Sequence, residues 1–113
     1  MKSYIVIGLG RFGTEVARKL YELNCEVLAV DNNSDLVQQI SQDVTQAVVA
    51  DARDKEVLRA LGAKDFDCAV VAIGGSLANS VLATMNVKEL GIPKVVCKAH
   101  DDTHRQVLLK LGA

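Results

Sequence analysis

The stretch "YIVIGLGRFGTEVARKL", residues 4–20, decides how this chain folds. It opens as a short apolar run and ends with Val16, Ala17 and Leu20 recurring at the spacing of one helix face. Between the two, Gly8, Gly10 and Gly13 spell G-x-G-x-x-G. Glycines are common in turns, so the pattern carries weight only because a strand precedes it and a helix follows. In that setting Gly8 permits the tight turn. Gly10 lets a pyrophosphate approach the backbone, and Gly13 lets the helix lie close to the strand. Arg11 opens the helix, at the positive end of its dipole, where a cation is disfavoured unless an anion compensates. A phosphate resting on the free N–H groups of the helix start supplies that anion. Arg11 then reads as a charge reader, with Phe12 as the packing residue behind it.

Working outward, strand and helix signals alternate to the end of the chain. Ser3–Gly8 is the first predicted strand, and "EVLAVD" (26–31), "QAVVAD" (46–51), "CAVVAIG" (68–74) and "KVVCKA" (94–99) are the next four. The intervening helices follow the glycine turn, Ser34 as a cap, "DKEVLRALGA" stopped by Gly62, and "SLANSVLATMNVKELG" stopped by Gly91. A last one, "DDTHRQVLLKLGA", closes at Gly112. Strands separated by helices require crossover connections and form a parallel sheet covered on both faces. The near-continuous apolar strands agree with that burial. The expected fold class is therefore α/β, a Rossmann-like doubly wound sheet in a single domain over residues 1–113. A series of this kind runs from a helix cap into another strand, so a continuation past Ala113 is expected.

Bulk properties narrow the function. With 113 residues the chain can build one core but not a cofactor domain plus a substrate domain. The net charge is −1, Trp is absent and aromatic residues are few, which argues against nucleic acid as a partner. No apolar run approaches the roughly 20 residues of a membrane span. The N-terminus enters a strand directly, without the pattern of a signal peptide. Cys25, Cys68 and Cys97 are widely separated and odd in number, so they read as small buried thiols rather than a disulfide or zinc framework.

The remaining candidate residues gather at predicted strand ends. Asp31 closes the second strand roughly 20 residues beyond the glycines, the position of a carboxylate that accepts ribose hydroxyls. It would repel a 2′-phosphate, favouring NAD or plain adenine nucleotides over NADP; the plainer reading is a cap on the following turn. Asn32 and Asn33 are turn residues, and Asn33 is also within reach of a ribose. Asp51 has two compatible readings, as N-cap of the next helix with Asp54 in its first turn, or with the Ala52 backbone beside an adenine. Ile73, Gly74 and Gly75 end the fourth strand, as a turn or as bare backbone for a ligand. Lys98, His100 and His104 end the fifth strand and enter the last helix. Two histidines four apart share a helix face, but a metal would want a third ligand. Solvated surface and a phosphate-facing cluster opposite Arg11 are the other readings. No Tyr-x-x-x-Lys pair, supported catalytic triad or P-loop lysine is present, and no polar group is left over for a second substrate.

With those residues in view, the chain resembles the RCK (also KTN or TrkA-N) domains of bacterial potassium-transport regulatory subunits of the Ktr and Trk type. The likeness runs along the whole chain and rests on "VIGLGRFG", "VLAVDNN", "VVADARD", "VVAIGG", "KELGIPKVVCKAH" and "HRQVLLKLGA". It implies regulation rather than catalysis. The implied protein is a cytoplasmic homo-oligomer, dimers building a ring (an octamer in the intact protein), peripheral to the inner face of the cell membrane. The implied partner there is a potassium channel subunit of the KtrB/TrkH type. The implied ligand is ATP, ADP, NAD or NADH. Its contacts, matched position by position, fall on Arg11, Asp31, Asn32, Asn33, Asp51, Ala52, Ile73, Gly74, Gly75, Lys98, Ala99, His100 and His104. The resemblance also implies a C-terminal lobe that is absent here. Ala50-Asp51 and Arg53 depart from the family pattern, which has Asn or Gly-Asp at the first place and a threonine-like residue near the second. The rival from another class is the cofactor domain of an NAD-dependent dehydrogenase cut from a longer chain.

Overall fold

The computed structural model describes residues 2–113. Five strands form one sheet: β1 (Ser3–Ile7), β2 (Glu26–Asp31), β3 (Gln46–Val49), β4 (Cys68–Val71) and β5 (Lys94–Cys97). Five helices connect and follow them: α1 (Arg11–Glu22), α2 (Ser34–Ile40), α3 (Lys55–Ala60), α4 (Leu77–Glu89) and α5 (Asp102–Lys110). The strand order is β3-β2-β1-β4-β5, and every neighbouring pair is parallel. The chain winds outward from β1 in one direction, then returns to wind outward in the other. The carboxyl ends of β1 and β4 therefore diverge at a switch point, the place where open α/β sheets leave a crevice.

Alternation along the strands divides the core into two layers. Ile5, Ile7, Leu28, Val30, Ala69 and Val71 face Leu58 of α3 and Ala83 and Val87 of α4. Val6, Val27, Ala29 and Val70 face Ala17 of α1 and Val37 and Ile40 of α2. Strands with both faces covered must be apolar at every position, and β1, β2 and β4 are nearly so. Each such Val, Leu or Ile contributes about 1.5–3 kcal/mol by leaving water.

The five strands and the doubly wound fold match the sequence expectation. β2 ends at Asp31 as expected, whereas the other four strands stop one to three residues earlier than predicted. Past those ends single ladder bonds persist, such as Gly8 N–H to the Val30 carbonyl and Lys98 N–H to the Val71 carbonyl, both 2.9 Å. Several of the predicted strand-end residues, Gly8, Asp51, Ile73 and Gly74 among them, line the cleft described below.

Helix starts required two corrections. Asn33, not Ser34, caps α2, its Oδ1 accepting the Asp35 N–H at 2.9 Å. Asp54, not Asp51, caps α3 by accepting the Glu56 N–H at 3.0 Å. In each case an aspartate at a strand end folds the chain back on itself first. Asp31 takes the Asn33 N–H and Asp51 takes the Arg53 N–H, both at 2.9 Å. A 3₁₀ turn over Ala63–Asp65, after Gly62 in the left-handed region, was not expected from sequence. Cys68 is buried as anticipated, whereas Cys25 and Cys97 are only partly so. Burial pushes the Cys68 and Cys97 thiols up.

Candidate nucleotide cleft

The glycine turn is built by contact rather than by composition alone. Gly8 has φ +97°, and a β-carbon there would lie 2.9 Å from the Ala72 carbonyl group. At Gly13 a β-carbon would fall 1.8 Å from the Gly8 carbonyl oxygen. That glycine allows α1 to sit directly against the turn, as the motif predicts. A β-carbon at Gly10 would meet nothing within 4 Å. Gly10 itself lines the cleft described next.

Asp31 holds this turn. Its Oδ2 accepts the Leu9 N–H at 2.7 Å, and its Oδ1 accepts the Asn33 N–H at 2.9 Å. A carboxylate has about four acceptor positions, so two remain for outside donors. One side chain thus ties the glycine turn of β1 to the loop of β2. The turn cap expected of Asp31 is present as the Asn33 bond, and the tie to Leu9 is a duty that the sequence does not announce.

Around these groups lies a cleft of about 450 Å³. Gly8, Gly10, Asp31, Asn32, Asp51, Ala52, Ile73 and Gly74 all line it, as do Arg53, marked above only as a departure from the family pattern, and Leu9 and Asn79, which the sequence did not single out. Asn86 of α4 reaches across to donate from Nδ2 to the Ala52 carbonyl at 2.9 Å, fixing the β3 loop. Arg11 is the first residue of α1 and is exposed. The first turn of α1 holds no acidic residue, and among the described residues no carboxylate pairs with Arg11. Gly13 lies under the turn, and Asn33 caps α2 beside the cleft.

Three expectations change. Phe12 is 43% exposed, so it is not the packing residue behind Arg11. Its ring lies under Lys98, whose Nζ is 5.4 Å from the ring centroid. Arg11, Phe12 and Lys98 line neither this cleft nor the smaller one described next. His100 and His104 do not share a helix face, because α5 starts only at Asp102. His104 is 4% exposed and is not solvated surface. Its Nδ1 accepts the His100 N–H at 2.9 Å, and its Nε2 lies 3.0 Å from Ser80 Oγ. Gly75, His100 and His104 line a second, smaller cleft of about 180 Å³ that shares Ile73 with the first. Ala99 lies just past β5 and lines neither cleft.

At the β3 end, Asp51 and Arg53 form an ion pair, Nη2 to Oδ2 at 2.7 Å. The Arg53 hydrogen bonds hold the Asp51 carboxyl below the usual carboxylate range.

Comparison with known proteins now places the chain. The model of the TrkA-N domain family matches residues 4–113. The chain belongs to the TrkA-N domain family. This TrkA-N domain is 42% identical over 112 residues to the Ktr system potassium uptake protein C of Bacillus subtilis. That match covers 99% of this chain and 51% of the relative. Protein A of the same system from Vibrio alginolyticus is also 42% identical, with 99% and 51% covered. The chain thus spans about half the length of the curated relatives it matches. Among solved structures, the AMP-bound Kef CTD of Shewanella denitrificans is 30% identical with a TM-score of 0.82. It is covered to 67%, and this chain to 98%. The TrkA-N domain of the Escherichia coli inner membrane protein ybaL has a TM-score of 0.86 at 15% identity. That match covers 99% of this chain and 82% of the other, and it shows the shared fold.

Proposed function

We propose that the cleft binds an adenine nucleotide, ATP, ADP, NAD or NADH, and that the domain senses it for a potassium uptake system. The observation that carries this reading is the Asp31 carboxylate at the end of β2. It is locked to the glycine turn through Leu9 N–H yet keeps two acceptor positions facing the cleft. Phosphates fit the turn, the ribose fits Asp31, and Arg11 offers the charge. The likeness to an AMP-bound protein at 30% identity and to potassium uptake proteins at 42% supports the ligand class and the setting.

In this reading the domain is the nucleotide-binding half of a cytoplasmic regulatory subunit, not an enzyme. It works as a homo-oligomer, dimers in a ring, against a membrane channel subunit, and a C-terminal lobe completes the protein. Among the described residues no helix is long and apolar enough to cross a membrane. Exposed Leu77, Leu82 and Met85 on α4 support association between subunits. A nucleotide biases such an assembly only through different affinities for two shapes. ATP and ADP differ by one phosphate, and Arg11, exposed at the start of α1 beside the glycine turn, is the cation assigned to feel it in this reading.

Titration calorimetry tests both parts. Asp31→Ala is expected to weaken ADP binding by at least about tenfold, since hydrogen bonds to a charged acceptor are lost. Arg11→Ala is expected to move the ATP:ADP affinity ratio toward one. Wild-type affinity in Asp31→Ala overturns the ribose assignment, and an unchanged ratio removes Arg11 as the sensor.

A further inference from the structure

Arg53 is the feature of the cleft that neither the motif nor the fold requires. It lines the cavity two residues past Asp51 and directs all its bonding at that one carboxylate. Asp51 Oδ1 accepts the Arg53 backbone N–H at 2.9 Å and Nε–H at 3.0 Å. Oδ2 accepts Nη2–H at 2.7 Å and shares Nε–H at 3.2 Å. A carboxylate offers about four acceptor positions, and three Arg53 hydrogens engage both oxygens here, the Nε–H being shared between them. By contrast the guanidinium keeps its Nη1 hydrogens, one Nη2 hydrogen and its flat face unspent.

The sheet order says what meets this pair. The glycine turn follows β1, the ribose carboxylate follows β2, and β3 is the next strand outward. A nucleotide laid from phosphate to ribose along that line brings its base to the β3 loop. A free Asp51 there would accept from the 6-amino group of adenine. With both oxygens already held by Arg53, Asp51 is a poor acceptor for it, and the guanidinium beside it presents cationic donors and a stacking surface instead.

We infer that Arg53 is a specificity-determining positioning residue: by occupying Asp51 it leaves the 6-amino group of the base unread and offers donors to ring nitrogens instead. This rests on the nucleotide reading of the cleft. It makes the domain tolerant at position 6 of a purine nucleotide. Arg53 and Asp51 are both substantially exposed and lie outside every helix and strand, so removing the pair leaves the core intact.

The test compares ADP with purine riboside 5′-diphosphate, which is ADP without its amino group. Wild type is expected to bind the two within about threefold of each other. Arg53→Ala frees Asp51 and is expected to prefer ADP by tenfold or more. The double variant Asp51→Ala/Arg53→Ala then returns the ratio to the wild-type value. A wild-type preference for ADP of tenfold or more overturns the inference, as does an Arg53→Ala ratio equal to wild type. If wild type binds neither compound, the nucleotide reading itself fails and takes this inference with it. Melting curves of each variant confirm that it folds.

Discussion

Gly10 and Gly13 stand three residues apart in one turn and have opposite jobs. A methyl at Gly13 collides with the Gly8 carbonyl, whereas one at Gly10 meets only open space. Gly13→Ala is therefore expected to destabilise the fold by at least about 3 kcal/mol, the upper range of overpacking. Gly10→Ala is expected to melt within about 0.5 kcal/mol of wild type yet, on the proposed reading, to weaken nucleotide binding, because it adds a methyl to a residue that lines the cleft. Denaturant unfolding with ADP titration separates the two, and equal stability loss in both contradicts the assignment. At this scale the sequence was legible where one residue has one possible reason. The glycine pattern announced the turn, and Asp31 announced a carboxylate at the crevice. Arg53, the Lys98–Phe12 contact and the burial of His104 were not legible. Lys98 meets Phe12, and His104 meets Ser80, only after the sheet brings distant segments together. No local pattern encodes such pairs. Arg53 is a different case: its partner is two residues away, but a D-x-R sequence has no fixed meaning outside the turn that Asp51 makes.

At the scale of elements, the lower end of the sheet is fastened by Asp67. Its Oδ2 accepts the Ser3 N–H at 2.8 Å and the Ser3 hydroxyl at 3.2 Å, joining the start of β4 to the start of β1. The Ser3 backbone N–H, helped by the hydroxyl, holds the Asp67 carboxyl below its ordinary value. A carboxyl lowered by folding adds stability above its unfolded pKa of about 3.9 and loses it as pH falls through the folded value. Asp67→Asn is thus expected to melt below wild type at pH 7, with the gap closing as pH falls below about 4. Melting temperatures measured across that range check it, and a gap independent of pH contradicts the charge-based account. Strands and helices were legible because their apolar periods differ. Their ends were not, since Asp31 and Asp51 first turn the chain back and so displace the caps to Asn33 and Asp54.

The whole molecule is one parallel sheet covered by helices on both faces, with a cleft at the carboxyl ends of its strands. The glycine turn, the Asp31 carboxylate and the Asp51–Arg53 pair follow β1, β2 and β3 in sheet order, one cleft along three neighbouring strands. That layout is the basis for reading the domain as a nucleotide sensor in a potassium uptake system. Nitrogen-15 NMR of the 12.1 kDa chain titrated with ADP examines it residue by residue. The account predicts shifts concentrated at Gly8, Leu9, Gly10, Arg11, Asn32, Ala52 and Gly74, with the opposite end of the sheet around Ser3 and Asp67 unmoved. No shifts at millimolar ADP, or shifts centred away from the carboxyl ends of β1 and β2, contradict it.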